Sequence, residues 1–257
     1  MSTEPVTRSS QPLLRCQRLV IGHRGRPLLP PIDLEIHAGT MLAVLGRNGA
    51  GKSTFFKTML GFLPAVSGEL WRTAPAPKLA YMSQAATLDG TVPVRARDVV
   101  AWGGLQGLGF MRPRPRQAGR SVDSALQAAQ ADSISGAFVR DLSDGQRAKV
   151  LLARVLAAGA QVAFLDEPTA AMDAVAEQRT FALLRRESHE RGLAVVVITH
   201  LLGLVRRFAD QVLYLDRDDS LALSAPPEAV FAHPTFQRQY GEVDSEANGN
   251  GNHGKYR

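Results

Sequence analysis

The chain has 257 residues, 45% of them hydrophobic, and 30 basic against 24 acidic residues give it a net charge of +6. This is enough apolar sequence for one large domain or two nested lobes around a real core. A single cysteine, Cys16, excludes a disulfide framework and a cysteine-based zinc site, and it suits a reducing compartment. No apolar run reaches about 18 residues, so we expect no membrane span, and the polar start of the chain lacks the apolar core of a signal peptide.

The two ends of the chain differ in composition from the rest. Residues 1–11 are rich in Ser, Thr and Pro, and residues 242–257 are rich in Gly and Asn. Neither segment has enough apolar surface to offset the entropy lost on ordering, so we predict two disordered tails. The folded domain is therefore expected to span residues 12–241.

Between the tails, apolar strand-like runs alternate with helical patterns. In chain order, we predict strands at 13–21, 32–36 and 40–45, a helix from Ser53, a strand at 79–83, helices at 122–131 and 146–158, a strand at 162–165, a helix at 174–192, a strand at 194–199, a helix at 200–209 and a strand at 211–215. Such alternation predicts an α/β fold with a mainly parallel sheet flanked by helices. The first two strands are expected to form an antiparallel portion before it.

One region interrupts this alternation. Residues 85–140 lack β-rich runs and contain the pair Gly103-Gly104 and a proline–arginine stretch at 112–116. Glycine and proline at this density interrupt strands, so the segment is not expected to continue the sheet. We predict an inserted, mostly helical lobe, which together with the helix that follows it occupies residues 85–158.

The most informative motif follows the strand predicted at 40–45. It consists of Gly46, Arg47, Asn48, Gly49, Ala50, Gly51, Lys52, Ser53 and Thr54, which fit the pattern G-x-x-x-x-G-K-S between a strand and a helix. The glycines let successive backbone N–H groups and the helix N-terminus point at one anion. We therefore predict a phosphate-binding loop, in which Lys52 reaches the β- and γ-phosphates of a nucleotide and the hydroxyl of Ser53 binds Mg²⁺.

A second part of the predicted site comes after the strand at 162–165, where Asp166 and Glu167 follow directly. A carboxylate at the end of a buried strand beside a phosphate loop is where Mg²⁺ needs a ligand, so we assign Asp166 to the metal. Side chains alternate along a strand, and Glu167 therefore points away from Asp166. This makes Glu167 the candidate base that faces the attacking water.

A further anion site is predicted where the helix at 146–158 begins. The segment Leu142-Ser143-Asp144-Gly145-Gln146 combines a hydroxyl, backbone N–H groups and a helix dipole. One triphosphate does not need two γ-phosphate cradles that lie about ninety residues apart. We infer that the second cradle serves ATP held by another copy of the chain.

With these motifs in this order, the chain resembles the nucleotide-binding subunit of ABC transporters over roughly residues 12–241. LSDGQ stands where that family has its signature L-S-G-G-Q, Gln84 stands at the Q-loop, residues 169–173 at the D-loop, and His200 at the switch histidine that ends a strand. The resemblance implies an ABC-type ATPase that binds ATP with residues 46–54, holds Mg²⁺ with Ser53, Gln84 and Asp166, uses Glu167, His200 and Gln84 in catalysis, and completes a second subunit's site with Ser143, Gly145 and Gln146.

The resemblance also implies partners and a location. The chain would form a nucleotide-sandwich dimer and dock, as a peripheral protein, on transmembrane permease subunits at the cytoplasmic face of the membrane. An extracytoplasmic substrate-binding protein would belong to the same complex. Residues 97–103, 107–110 and 233–236 resemble the manganese/zinc importer branch. Iron-chelate importers share parts of this pattern and are the alternative.

Two other classes of function stay open. Some ABC ATPases act on DNA or ribosomes, and a pI of 9.9 permits binding to nucleic acid. Those proteins carry a long coiled-coil insertion or a second nucleotide domain, neither of which occurs in this sequence, so we expect no nucleic-acid partner. A nucleotide-binding regulator that has lost turnover is the third class.

Two departures from the family pattern bear on ATP binding. Asp144 replaces the first signature glycine and brings a carboxylate near the phosphates. The aromatic residue that usually stacks on adenine is expected near Ile21, which packs only through apolar contacts. Asp144 predicts some weakening of the second anion site, in which Ser143 and Gly145 keep the main donors, and Ile21 predicts no aromatic stacking on adenine; whether either change lowers ATP affinity or turnover stays open.

Overall fold

The structure of the protein is a computed structural model that describes residues 11–83, 93–103 and 121–241. The strands are β1 (Leu14–Val20), β2 (Gly22–His23), β3 (Arg26–Pro27), β4 (Ile32–Ile36), β5 (Met41–Leu45), β6 (Ser67–Arg72), β7 (Leu79–Met82), β8 (Val162–Asp166), β9 (Ala194–Ile198), β10 (Gln211–Asp216) and β11 (Leu221–Ala225). The helices are α1 (Lys52–Met59), α2 (Ala96–Trp102), α3 (Val122–Ala128), α4 (Asp144–Ala157), α5 (Ala174–Arg191), α6 (Leu202–Phe208), α7 (Pro227–Phe231) and α8 (Pro234–Tyr240).

Six of these strands form the central sheet, in the order β11-β10-β5-β9-β8-β7. All neighbouring pairs run parallel except β10 and β11. Every residue of β5, β8 and β9 is buried, which is typical of parallel strands covered on both faces. The carboxyl ends of these strands meet at one edge, where Ile198 lies opposite both Val44 and Asp166. Loops that follow such ends are where α/β sheets bind ligands.

Two hydrophobic cores lie on the two faces of the central sheet. On one face, Leu42, Val44 and Phe164 pack with α1 and with the antiparallel sheet β4-β1-β6. On the other face, Ala43 and Leu165 pack with side chains of the helices α2 to α8. Successive residues of a strand point to opposite faces, so each buried strand contributes to both cores.

The helices α2, α3 and α4 make up the described part of the helical lobe. Both α2 and α3 pack on α4, and α4 contacts β7 at the edge of the central sheet. Gly103, which follows α2, allows the close approach, because a Cβ at that position would lie 2.2 Å from the carbonyl oxygen of Arg154. The helix that begins at the signature segment is therefore the one that joins the lobe to the sheet.

The predicted α/β architecture, with its mainly parallel sheet and its N-terminal antiparallel portion, is confirmed. Several short elements are absent from the sequence predictions, namely β2, β3, β6, β11, α2, α7 and α8. The residues of β6 and β11 are half-buried or exposed, so these strands lack the continuous apolar run that marks a central strand. Such short elements carry too little periodicity to be separated from loops.

Three predicted helices differ from the structure at their ends. The helix predicted at 146–158 begins two residues earlier, at Asp144, because Ser143 is its N-cap. The helix predicted at 122–131 ends at Ala128, because Gln130 takes a left-handed φ of 54°. The helix predicted at 200–209 begins at Leu202, because the hydroxyl of Thr199 accepts a hydrogen bond from the backbone N–H of Leu201 and holds a turn.

The predicted domain boundaries stay predictions. Most of the two predicted tails and part of the lobe at 85–158 lie outside the described residues. Within residues 11–83, 93–103 and 121–241, the helices are too short or too polar to cross a membrane.

Candidate nucleotide-binding site

The phosphate loop predicted at residues 46–54 connects β5 to α1. Gly46, Gly49 and Gly51 have φ values of 146°, 84° and 105°, a region that residues with a side chain rarely adopt. Space is limiting as well, since a Cβ at Gly46 would lie 2.3 Å from the carbonyl oxygen of Leu215. Glycine is therefore needed for both the shape and the packing of this loop.

Lys52 begins α1 and folds back over the loop. Its Nζ donates hydrogen bonds to the carbonyl oxygens of Gly46, at 2.6 Å, and Arg47, at 3.0 Å. Burial lowers the pKa of Lys52, while the negative charges of Glu167 and Asp166 raise it. The ammonium group thus lies between loop carbonyls and two carboxylates, and the phosphates of a nucleotide would compete with these groups for it.

A cavity of about 210 Å³ opens in front of the loop. Its lining consists of Leu28, Asn48, Gly49, Gly51, Lys52, Ser53, Thr54, Asp166 and Glu167. The structure therefore brings the loop, the lysine and both carboxylates together at one concave place. An ammonium, two hydroxyls and two carboxylates around one cavity suit a metal-bound polyphosphate.

The two carboxylates stand at the end of β8. Asp166 is only 8% exposed, and burial together with the negative charge of Glu167 raises its pKa, while Lys52 and Lys57 lower it. Glu167 follows with a left-handed φ of 49°, and its N–H donates to the carbonyl oxygen of Ile198 at 3.0 Å. Non-glycine residues in this conformation are uncommon and cluster at functional sites.

A larger cavity of about 1070 Å³ adjoins the first one, with Asn48, Lys52 and Glu167 in both linings. The remainder of its lining is Leu45, Gly46, Arg47, Thr199, His200, Leu202, Arg238, Gln239 and Tyr240. His200 follows β9 and is exposed. The structure thus places the predicted switch histidine in the same cavity as Lys52 and Glu167.

The signature segment caps α4. The hydroxyl of Ser143 accepts from the N–H of Gln146 at 3.3 Å, and the side chain of Gln146 accepts from the N–H of Ser143 at 2.9 Å, which is a capping box. Asp144 pairs with Arg147 at 3.3 Å. Among the described residues that line the two cavities, none is Ser143, Gly145 or Gln146. Within one chain, the two predicted phosphate cradles are therefore separate.

Gly145 lies against the segment predicted as the D-loop. A Cβ at Gly145 would lie 2.8 Å from the carbonyl oxygen of Ala171, so the two backbones are in close contact. Asp173 ends this segment as the N-cap of α5 and accepts from the N–H of Ala176 at 2.8 Å. The start of the signature helix and residues 169–173 are thus fixed to each other within one chain.

Gln84, the predicted Q-loop residue, lies outside the described residues. The strand β7 ends shortly before it, and Met82 lies opposite Leu165 in the register of β7 with β8. The chain therefore leads toward position 84 from β7, which lies next to β8, the strand that ends at Asp166.

Ile21, near which the adenine-stacking residue is expected, packs only through apolar contacts, as predicted. Ile21 is fully buried in the core and has no face toward a ligand. Its carbonyl oxygen accepts from the N–H of Leu28, which directly follows the β2–β3 hairpin and lines the smaller cavity. His23 is an exposed ring on this hairpin. The turn at Arg24-Gly25 is the signal in the sequence that could have identified it.

Comparison with known proteins identifies the family. Residues 29–170 match the sequence profile of the ABC transporter family. The zinc import ATP-binding protein ZnuC of Pseudomonas putida is 32% identical over 234 residues, which cover 91% of this chain and 86% of that protein. The manganese transport system ATP-binding protein MntB of Listeria innocua is 29% identical over 239 residues, covering 90% of this chain and 97% of that protein.

Solved structures show the same fold. The ADP conformation of an ATP-binding cassette from an ABC transporter superposes with a TM-score of 0.72 at 19% identity, covering 90% of this chain and 99% of that chain. The cbiO1 protein of Clostridium perfringens, part of the ABC transporter complex cbiONQ, gives a TM-score of 0.69 at 23% identity, covering 90% and 94%. Because the family profile matches more than half of the chain and its relatives align over about nine-tenths of it, this chain belongs to the ABC transporter family as one of its ATP-binding, ATP-hydrolysing subunits.

Proposed function

We propose that this chain powers the import of a divalent metal ion, of the manganese or zinc class, through a membrane permease. The main evidence for ATP binding and hydrolysis is the cavity that is lined by Lys52, Ser53, Asp166 and Glu167. The metal cargo is supported by the names of the ZnuC and MntB relatives, which align over most of the chain. As a subunit of an import system, the chain would act with permease subunits.

The donor set of the smaller cavity fits Mg²⁺. Ser53 offers an exposed hydroxyl and Asp166 a carboxylate, and hard oxygen ligands of this kind are what Mg²⁺ prefers. Ser53, Asp166 and Gln84 would hold the ion, which would neutralise charge on the β- and γ-phosphates. The buried position of Asp166 opposes its ionisation, so a cation at this place would also favour the charged form of that carboxyl.

The chemical roles follow from the positions of the side chains. Glu167 borders both cavities and would orient and polarise the attacking water. Lys52 would exchange its bonds to loop carbonyls for bonds to phosphate oxygens. His200, across the larger cavity, would contact the γ-phosphate. Residues Gly46 to Thr54 would supply backbone N–H groups around the triphosphate.

We infer that two copies of the chain sandwich ATP. Ser143, Gly145 and Gln146 begin α4, away from the cavities of their own chain. A capped helix N-terminus attracts phosphate, so this segment would complete the site of the other copy. ATP then stabilises the closed dimer through contacts that the open state lacks, and only such differential binding shifts the equilibrium.

We propose further that the inserted lobe meets the permease at the cytoplasmic face of the membrane. Gln84 would lie between this lobe and the edge of the sheet that carries Asp166, where a change at the nucleotide could be passed on. An extracytoplasmic substrate-binding protein would deliver the metal to the same complex, and nucleic acid has no part in this function.

The position of His23 supports a contact with adenine. The exposed ring stands on the hairpin that leads into Leu28 of the smaller cavity, and a flat side chain there could stack on a base. Replacing His23 by Ala should then weaken ATP and GTP binding to a similar extent, while His23→Phe should preserve both. Unchanged ATP affinity in His23→Ala would remove the ring from the site.

The hydrolysis proposal is tested by two pairs of variants. Glu167→Gln should bind ATP and form a dimer but hydrolyse it on the order of 10²–10⁴-fold more slowly, and Glu190→Gln, an exposed glutamate on α5, is the matched control. Lys52→Ala should lose ATP binding, whereas Lys57→Ala on the same helix should keep it. Near-normal turnover in Glu167→Gln would exclude Glu167 as the base.

The cargo is tested by transport. The chain and its permease, reconstituted in liposomes with the cognate binding protein, should accumulate manganese or zinc only when ATP is present on the side of this subunit. Uptake of an iron chelate in place of the free ion would replace the proposed cargo by the alternative. ATP hydrolysis that never drives uptake of either cargo would contradict the import proposal.

A further inference from the structure

The end of β10, from which the turn to β11 starts, lies against the phosphate loop. Leu215, near the end of β10, presents its carbonyl oxygen to Gly46 so closely that a Cβ there would lie only 2.3 Å away. Gly46 begins the loop that Lys52 closes. A small displacement of this turn would therefore move the first residue of the loop.

A buried carboxylate fixes the shape of that turn. Asp216 is 3% exposed, and its Oδ1 accepts from the N–H groups of Asp218, at 2.9 Å, and Asp219, at 3.1 Å. Its Oδ2 accepts from the hydroxyl of Tyr214, at 3.0 Å, and from the side-chain amide of Gln239. Burial and the hydrogen bond to Asp216 raise the pKa of Tyr214, which therefore keeps its proton and remains a donor.

The same turn holds the C-terminal helix α8. Besides the bond from Gln239 to Asp216, Arg238 pairs with Asp219 at 2.9 Å. On the other side of the turn, Arg47 of the phosphate loop pairs with Asp218 at 3.7 Å. Helix α8 also lines the larger cavity, together with Lys52 and His200. One turn thus connects the C-terminal helix to the phosphate loop.

The buried link is the strongest of these connections. Arg47 and Asp218 are 67% and 78% exposed, and Arg238 and Asp219 are 68% and 40% exposed, so water screens both ion pairs. A hydrogen bond to a buried carboxylate is worth more, because removing the donor leaves part of a charge unsatisfied. Gln239 also accepts from the hydroxyl of Tyr214 at 3.0 Å, so its buried polar contacts restrain the turn more firmly than the exposed ion pairs do.

We propose that Gln239 is a positioning residue for ATP binding, which acts through Asp216 and the β10–β11 turn on Gly46. The inference rests on the proposed function only in that ATP occupies the loop at residues 46–54. When α8 is undocked, Asp216 loses a donor, the turn loosens, and the loop takes its phosphate-binding shape less often. The C-terminal helix is thereby a control point for ATP affinity that acts through the β10–β11 turn.

The test separates binding from turnover in the full-length protein. Gln239→Ala should raise the KM for ATP on the order of three- to ten-fold, within the range of couplings between packed elements, and leave kcat within about two-fold of wild type. Gln237→Ala is the matched control, because Gln237 is an exposed glutamine on the same helix. Gln239→Lys, whose ammonium can still donate to Asp216, should restore the wild-type KM.

The outcomes are distinguishable from a failure of the proposed function. If Lys52→Ala loses ATP binding while Gln239→Ala keeps the wild-type KM, residues 46–54 still bind the phosphates of ATP, and the positioning role of Gln239 is wrong. If Gln239→Ala lowers kcat and melting temperature with KM unchanged, the residue is merely structural and the proposal is overturned. Equal KM increases in Gln239→Lys and Gln239→Ala would also overturn it, because the donor to Asp216 would then be irrelevant.

Discussion

Replacing Asp144 by glycine should tighten the ATP-driven dimer. In the proposed dimer, the N-terminus of α4 faces the phosphates held by the other copy, and Asp144 is the first residue of that helix. The helix N-terminus and Ser143 attract phosphate, whereas the carboxylate of Asp144 repels it. Arg147, at 3.3 Å, offsets part of this negative charge.

The magnitude is limited by solvent. The side chain of Asp144 is 81% exposed, so its interaction with a phosphate is screened by water as well as by Arg147. Exposed charge pairs are worth roughly 0.2–1 kcal/mol. A symmetric dimer contains the interaction twice, which gives roughly 0.4–2 kcal/mol, or about a 2- to 30-fold change in the dissociation constant of the dimer.

The measurement is sedimentation velocity with ATP and Mg²⁺ in the Glu167→Gln background, where hydrolysis does not reopen the dimer. Asp144→Asn is the control that removes the charge and keeps the size of the side chain. It should reproduce most of the gain seen with glycine, and the gain should shrink as the salt concentration rises.

Three results would refute the electrostatic reasoning. A glycine variant that dimerises equally or more weakly would mean that Asp144 points away from the nucleotide. A gain with glycine but none with asparagine would assign the effect to backbone freedom or side-chain size. A gain that does not depend on salt would exclude a screened charge as its cause.

The remaining predictions concern stability and reactivity. Burial raises the pKa of Asp166 above its ordinary 3.8, so the ionised carboxylate destabilises the nucleotide-free fold, and this cost disappears as the pH falls through the raised pKa. Asp166→Asn should therefore raise the melting temperature at pH 7 and make it depend less on acid pH, and a lower melting temperature would contradict this. Burial, with a contribution from Asp33, raises the pKa of Cys16 to about 12. A thiol reagent at pH 8 should therefore label no thiol in the native protein and one thiol per chain after unfolding, and rapid labelling of the native protein would show that β1 exposes Cys16 by local opening. The Ser188 hydroxyl is buried without a hydrogen-bond partner among the described residues. Ser188→Ala should therefore raise the free energy of unfolding, measured by urea titration, by about 1 kcal/mol, and a lower free energy of unfolding would show that the hydroxyl has a partner.

The fold could be predicted from the sequence wherever burial is two-sided. The strands β5, β8 and β9 are apolar along their whole length, and each leads into a loop with recognisable chemistry. The strands β6 and β11 have no such run, because one face of each meets solvent or a sheet edge. Their places are decided by pairing with β1 and β10, which is a long-range property that composition does not reveal.

The site could be predicted to the extent that its chemistry is local. Residues 46–54 fold next to their own strand and helix, and Asp166 ends its own strand, so spacing alone locates them. Other parts are set by distant backbone. The glycine at position 46 is required by the carbonyl of Leu215, and that at position 145 by the carbonyl of Ala171. Packing also decides that Ile21 points inward and His23 outward on the hairpin, so the sequence alone did not single out His23.

Binding of ATP should change what restrains the phosphate loop. Without nucleotide, Lys52 ties the loop together through the carbonyls of Gly46 and Arg47. Phosphate oxygens bind an ammonium more strongly than neutral carbonyls do, so ATP should draw Lys52 away and leave both carbonyls without that donor. The contact of Gly46 with Leu215 then remains as a restraint on the start of the loop, beside the bonds from its backbone N–H groups to the phosphates. The turn fixed by Asp216 should consequently matter more with ATP bound than without it, because a loop already closed by its own lysine has less need of support from outside.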